Sequence, residues 1–255
     1  ENFEGNLRAK ILSNKLQFDF KKKENFFIYN SFYRSKSLNT TLDGTIVFLP
    51  FFEFDLIFDI KSFKYKLIKA RDILSTILLL KESNPNINGK FRINYDDSKY
   101  RYSYLEKVKI EGKIENSEIN IKESLLKFNE GKLEIKGNLK KYEQFKIFNF
   151  NLNSNIKDKN KLLKKLKIKK HTNNNVVNLS IDGNLNLTSN KINFKKININ
   201  EDYSAKESDI IFFKKKFENI VISETVFDVF NFAKITSFLR EILWFIWASS
   251  FASGP

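Results

Sequence analysis

A five-residue pattern, apolar–polar–Gly–polar–apolar, recurs six times in this chain. The copies are Phe3-Glu4-Gly5-Asn6-Leu7, Leu42-Asp43-Gly44-Thr45-Ile46, Ile87-Asn88-Gly89-Lys90-Phe91, Ile110-Glu111-Gly112-Lys113-Ile114, Ile135-Lys136-Gly137-Asn138-Leu139 and Ile181-Asp182-Gly183-Asn184-Leu185. Six of the 8 glycines are used this way. Strand side chains alternate between faces, so each pentad puts its Gly and both apolar residues on one face and its polar residues on the other. Gly inside a strand marks a bend, a bulge or a close approach to the backbone. The glycines are 39, 45, 23, 25 and 46 residues apart. A unit of ~23 residues is one up-and-down hairpin of two strands with their turns. A repeated interval therefore predicts a hairpin unit stacked on itself.

The rest of the chain extends this alternation. Residues 1–20 read as two strands, with Leu16, Phe18 and Phe20 on one face and a turn at 21–25. Residues 26–36 pair back as a third strand. After Pro50, Phe52, Phe54, Leu56, Phe58 and Ile60 share one face, while Glu53, Asp55, Asp59 and Lys61 mark the other as solvated. The period changes at 65–81, where Leu67, Ile68, Leu74, Ile77 and Leu78 follow helical spacing and Asn84-Pro85-Asn86 ends the segment. Strands resume over 87–152, with an aromatic stripe at Tyr100, Tyr102 and Tyr104. A one-residue shift between Ile147 and Phe148 reads as a β-bulge. Residues 158–168 read as a short basic helix capped by Asp158 or Asn160. Strands continue from Val176 to about Ser223, and a helix is expected over 226–243. The domain reading is thus a repeating β region over 1–225, with helical insertions near 66–81 and 158–168, the C-terminal helix, and an atypical apolar tail over 244–255.

The 255-residue chain has no Cys, which excludes disulfides, thiol nucleophiles and thiolate metal sites together. Its single His, His171, reads as a solvated loop residue and cannot build a His-based metal site alone. No phosphate-binding loop, nucleophile elbow or dinucleotide fingerprint is present. Acidic residues fall in turns or at water-facing strand positions, and Asp96-Asp97 is an adjacent carboxylate pair. The chain reads as a non-enzyme without cofactor or metal. The net charge of +15 suits nucleic acid or an anionic surface. Yet 39 of the 45 basic residues are Lys, and Arg is the residue that makes bidentate contacts to bases and phosphates. Abundant Lys, Asn, Ile and Phe with scarce Ala and Arg is the signature of an A+T-rich genome, so no nucleic-acid partner is expected. The chain starts at Glu1 and contains no Met, which reads as a segment of a longer precursor.

The expected fold is therefore mainly β: a long, twisted and curled antiparallel sheet of roughly 14–18 strands with about three short helices. So few helices leave much of a Phe-rich face uncovered, and that face reads as an apolar groove. Its candidate lining is Phe52, Phe54, Leu56, Phe58 and Ile60; Phe91 and Ile93; Val108, Ile110 and Ile114; Leu133, Ile135 and Leu139; and Leu179, Ile181 and Leu185. Glycines on the same face would keep its floor low, so that an acyl chain lies against the backbone.

The repeated Ile-x-Gly-x-Ile/Leu strands, Lys132 to Leu139 (KLEIKGNL), Asp158 to Leu166 (DKNKLLKKL) and Val226 to Leu239 (VFDVFNFAKITSFL) together resemble the AsmA-like family, with its TamB-related members. The likeness covers most of residues 1–243. It implies a Gram-negative envelope protein, anchored in the inner membrane by a segment this chain does not contain. It also implies a periplasmic β-groove that holds or conducts phospholipid acyl chains toward the outer membrane. The alternatives are a non-transporting envelope scaffold with a sealed groove and, further off, a basic nucleic-acid binder.

Overall fold

Apolar–polar alternation becomes strand over most of the chain. The structure, a computed structural model, describes residues 2–11, 14–36, 38–48, 50–63, 87–97, 105–115, 118–158, 160, 161, 164, 176–201, 203–222, 234, 237, 238 and 241. Thirteen strands are neighbours in chain order in one sheet. They are β1 (Phe3–Ile11), β2 (Asn14–Lys22), β3 (Phe26–Arg34), β4 (Leu38–Val47), β5 (Glu53–Phe63), β6 (Asn88–Asp96), β7 (Leu105–Glu115), β8 (Glu118–Phe128), β9 (Gly131–Lys141), β10 (Lys146–Ile156), β11 (Val177–Asn186), β12 (Lys191–Ile199) and β13 (Tyr203–Ser204). One helix, α1 (Glu207–Ile220), follows them. The fold is mainly β, as the alternation predicts, and all six pentad glycines lie inside strands.

The structure corrects several details. The sheet is mixed, because β5 and β6 pair in parallel. Parallel neighbours need a crossover connection rather than a tight turn, and the 24 residues between Phe63 and Asn88 supply it. The helix expected at 66–81 and the Tyr100–Tyr104 stripe lie outside the described residues. The glycine intervals do not mark a hairpin repeat: Gly89 and Gly112 sit on adjacent strands, whereas Gly112 and Gly137 sit two strands apart. No bulge separates Ile147 from Phe148, for β10 pairs β11 in unbroken register from Ile147↔Asn186 to Ile156↔Val177. Phe145 belongs to the preceding turn, where the Tyr142 N–H donates to its carbonyl at 2.8 Å and the two rings lie 4.8 Å apart. The real bulges fall elsewhere, one of them in β3, where Asn30 takes a positive φ of 50° and the register shifts between Ile28 and Ser31.

Residues 203–222 were expected as strand and are mostly helix. Ile210, Phe213, Phe217 and Ile220 follow a 3–4 residue spacing. The Asp209 carboxylate accepts the Lys206 N–H at 2.9 Å and the Tyr203 hydroxyl at 2.9 Å, which fixes the first turn. Near 158–168, Asn160, Lys161 and Lys164 are helical. Asp158 caps this turn by accepting the Lys161 N–H at 2.9 Å. That backbone hydrogen bond is the main cause holding the Asp158 carboxyl below its usual range. In the expected C-terminal helix, Lys234, Ser237, Phe238 and Glu241 are helical.

The chain divides into two compact units. The first comprises Glu1–Asn129 with Lys136–Lys140, and the second Glu130–Ile135 with Lys141–Pro255. In the second unit α1 packs on β12. Leu185, Ile192, Phe194, Ile197, Phe213, Val221, Ile222 and Phe238 form a buried core. Ring contacts of 5.7 Å between Phe194 and Phe217 and 4.9 Å between Phe217 and Phe238 run through it. An ion pair of 2.7 Å between Lys216 and Glu241 ties α1 to the C-terminal helical residues.

Candidate functional site

In the first unit, strand register turns the separate alternations into continuous rows. One row crosses eight strands as Gly5, Phe20, Ile28, Gly44, Leu56, Phe91, Gly112 and Ile121. At the usual strand spacing it spans roughly 34 Å. Parallel to it run Phe54–Gly89–Ile114–Ile119 toward one strand end, and Phe58–Ile93–Ile110–Ser124 followed by Ile60–Tyr95–Val108–Leu126 toward the other. Eight of the sequence-predicted lining residues on β5, β6 and β7, from Phe54 to Ile110, thus line up across strands. Ile114 joins them beside Gly89, and Phe52 precedes β5 with its ring 6.3 Å from that of Phe54. Among the described residues, no helix lies over this face of the first unit.

The glycines do something other than expose a low floor. Each of four lies beside a Phe directly opposite on a neighbouring strand: Gly5 with Phe20, Gly89 with Phe54, Gly112 with Phe91 and Gly183 with Phe150. A Cβ added at Gly5 or Gly112 would enter the partner ring, and one at Gly183 would lie 2.8 Å from the Phe150 ring. The aromatic side chain folds over the space where a Cβ would stand and covers the exposed backbone. The floor is therefore paved with rings. Gly44 differs: its φ is +150°, and a Cβ there would strike the Asp55 carbonyl.

Small polar side chains are enclosed on the same face. Ser31 is 1% exposed; its hydroxyl accepts the Asp19 N–H at 3.0 Å and lies 3.1 Å from the Tyr29 carbonyl. The positive φ at Asn30 allows this, because the bulge returns Ser31 to the face that Ile28 occupies.

The opposite face of the first unit is built of charge pairs. Lys21 pairs with Glu4, and Arg92 with Asp55 at 3.2 Å. Glu111 and Glu123 lie directly opposite each other on β7 and β8, and Lys109 bridges them at 3.1 and 3.0 Å. Hydrogen bonds first to Glu123 and then to Glu111 raise the Lys109 pKa. In the second unit the corresponding face is richer in carboxamides: Asn151 donates to Asp182 at 2.7 Å and Asn155 to Asn178 at 2.6 Å.

The remaining predicted lining residues fare differently. Leu133, Ile135 and Leu139 alternate along β9 with Lys132, Glu134 and Lys136, and Leu139 is buried. Leu185 belongs to the core of the second unit, and Leu179 and Ile181 pack against it. Sequence reasoning left out Leu42, Ile46, Tyr95 and Ile119, which the register places on the first unit's apolar face. It also left out Phe3, Phe26 and Phe48, whose rings continue the line of Phe52 and Phe54 at one end of that face. Part of their signal was present in the Phe-rich stretch at 48–54.

No cluster of metal-ligating side chains occurs among the described residues. None of the described helices is long and apolar enough to cross a membrane, which says nothing about strands. Fold and site together define a mainly β protein with one mixed sheet and, in its first unit, a broad aromatic and aliphatic face. No protein-family model, curated protein or solved structure matches the chain.

Proposed function

We propose that the apolar face of the first unit holds lipid acyl chains, and that the chain is part of an AsmA-like periplasmic protein carrying phospholipid between the inner and outer membranes. The observation that carries this reading is the row geometry: five apolar side chains and three glycines from eight adjacent strands form one row over roughly 34 Å, with further apolar rows beside it. An extended acyl chain needs only a fraction of that length. Each buried methylene contributes about 0.8 kcal/mol, so no specific polar contact is required for retention. In this reading the protein is not an enzyme and needs no cofactor. Its charge serves solubility and phosphate head groups rather than nucleic acid. The AsmA-like resemblance supports the periplasmic setting.

A non-transporting envelope scaffold is the second reading. The second unit favours it, because α1 already occupies the equivalent face there with protein side chains.

Lipid extraction and mass spectrometry of protein purified from a Gram-negative envelope test the proposal. Phospholipid should co-purify in a defined ratio. Phe58→Ser and Ile110→Ser on the apolar face should reduce it severalfold, while Ile57→Ser on the opposite face should leave it unchanged. Lipid-free wild-type protein, or equal loss from all three variants, would favour the scaffold.

A further inference from the structure

One end of the first unit gathers aromatic side chains, some of them exposed. β1, β3 and β5 begin there, and β2 and β4 finish there. The Phe3, Phe26, Phe48, Phe52 and Phe54 rings form an unbroken chain, with successive centroids 5.9, 4.9, 5.5 and 6.3 Å apart. Within this chain of rings Phe3 is 45% exposed and Phe48 51%, and Phe51, in the same β4–β5 connection as Phe48, is 59% exposed. A single exposed apolar residue is ordinary, whereas exposed Phe residues gathered around a chain of touching rings mark a contact surface. The Lys22 ammonium lies 5.6 Å from the Phe3 centroid and 5.8 Å from that of Phe26.

We infer that this aromatic rim docks the protein on a phospholipid bilayer surface, with Phe48 and Phe51 entering the acyl boundary and Lys22 reaching the phosphate layer. Rings below and an ammonium above is the arrangement by which amphipathic side chains sit at a lipid–water boundary. A protein partner of fixed shape would need a matching pocket for each ring, whereas a bilayer accepts protruding rings without one. The charges at this end oppose one another. Lys21 is paired with Glu4, Lys22 and Lys23 flank the β2–β3 turn with Glu24, and Glu53 follows Phe52. Docking is therefore driven by apolar insertion and is insensitive to salt. This goes beyond acyl-chain storage on the face itself: it gives the rim its own partner, and neither Phe48 nor Phe51 is among the proposed lining residues.

The test is flotation of lipid-stripped protein with phosphatidylcholine vesicles at low and high salt. The wild type should float at both. The double variant Phe48→Ser, Phe51→Ser should lose about tenfold in partitioning, and Phe145→Ser, at an exposed aromatic of the second unit, should behave as wild type. Circular dichroism and the unfolding midpoint of each variant check that the sheet is intact. Failure of the wild type to float, or loss of binding by Phe145→Ser equal to that of the double variant, overturns the inference. So does concentration-dependent dimerisation that the double variant abolishes while vesicles are ignored. Lipid co-purifying with a protein that does not float would remove the rim's role and leave the acyl-chain proposal standing.

Discussion

The two units use the same alternating strands and treat the apolar face in opposite ways. In the second unit α1 lies on β12, and Phe213 reaches 0% exposure within a core completed by Val221, Ile222 and Phe238. In the first unit the equivalent face has no described helix over it, and Leu56, Phe58, Phe91 and Ile93 stay half-buried. Phe side chains there close over glycines on neighbouring strands, so part of the burial that a second layer would provide comes from within the sheet. One-sided alternation therefore specifies a strand but does not specify what covers it. The cover is decided by a separate stretch, here the 14 residues of α1.

The sharpest contrast between the units is in truncation cost. Phe213→Ala should destabilise the second unit by about 3–5 kcal/mol, because it removes a fully enclosed ring and leaves a cavity. Phe58→Ala should cost only about 1 kcal/mol, since Phe58 is half-buried and solvent reaches the space it leaves. Urea unfolding followed by probes in each unit measures both, and equal costs would erase the distinction between sealed and open faces. Next in size is Gly112→Val. A side chain there meets the Phe91 ring, and forcing that ring aside should cost about 1–3 kcal/mol. Full stability retained in this variant would mean that the ring does not rest on the glycine.

Asp209→Ala should cost about 1 kcal/mol through loss of the contacts to the Lys206 N–H and the Tyr203 hydroxyl. It bears on the second unit alone. Burial first, and the hydrogen bond to Asp209 second, raise the Tyr203 pKa above its ordinary 10.0. The fold favours the protonated phenol, so its contribution is complete below pH 10 and is lost as pH rises above it. An alkaline stability profile of Tyr203→Phe should accordingly fall less steeply above pH 10 than that of the wild type. The smallest effect is expected on the charged face of the first unit. Lys109→Met leaves Glu111 and Glu123 facing each other in an exposed site. A slight drop in midpoint at low salt should vanish at high salt.

Where the sequence could be read, it was read through local periodicity. Leu16, Phe18 and Phe20, or Phe54 to Ile60, announce their strand by themselves, and the pentads place every one of their glycines in a strand. Register is not local. Nothing in Ile110-Glu111-Gly112 says that Phe91 will lie across from its glycine, and the parallel pairing of β5 with β6 depends on a connection whose direction alternation does not encode. The helix α1 escaped because Ile210-Ile211-Phe212-Phe213 is an apolar run that both strand and helix accept, and the Asp209 contacts that settle the choice involve Tyr203 and Lys206 as well. For the candidate site, the lining of β5 to β7 was legible, whereas the covering of Leu179, Ile181 and Leu185 depended on that unrecognised helix.

Photo-crosslinking at two equivalent positions tests the central claim most directly. A crosslinker at Ile110 sits on the apolar face of the first unit, over which no described helix lies, and one at Ile181 packs against the core of the second. In protein carrying co-purified phospholipid, Ile110 should yield a lipid adduct, while Ile181 should yield only intramolecular products. Lipid adducts of equal yield at both positions, or none at Ile110 when a solvent-facing control at Asp55 is labelled, would contradict the account.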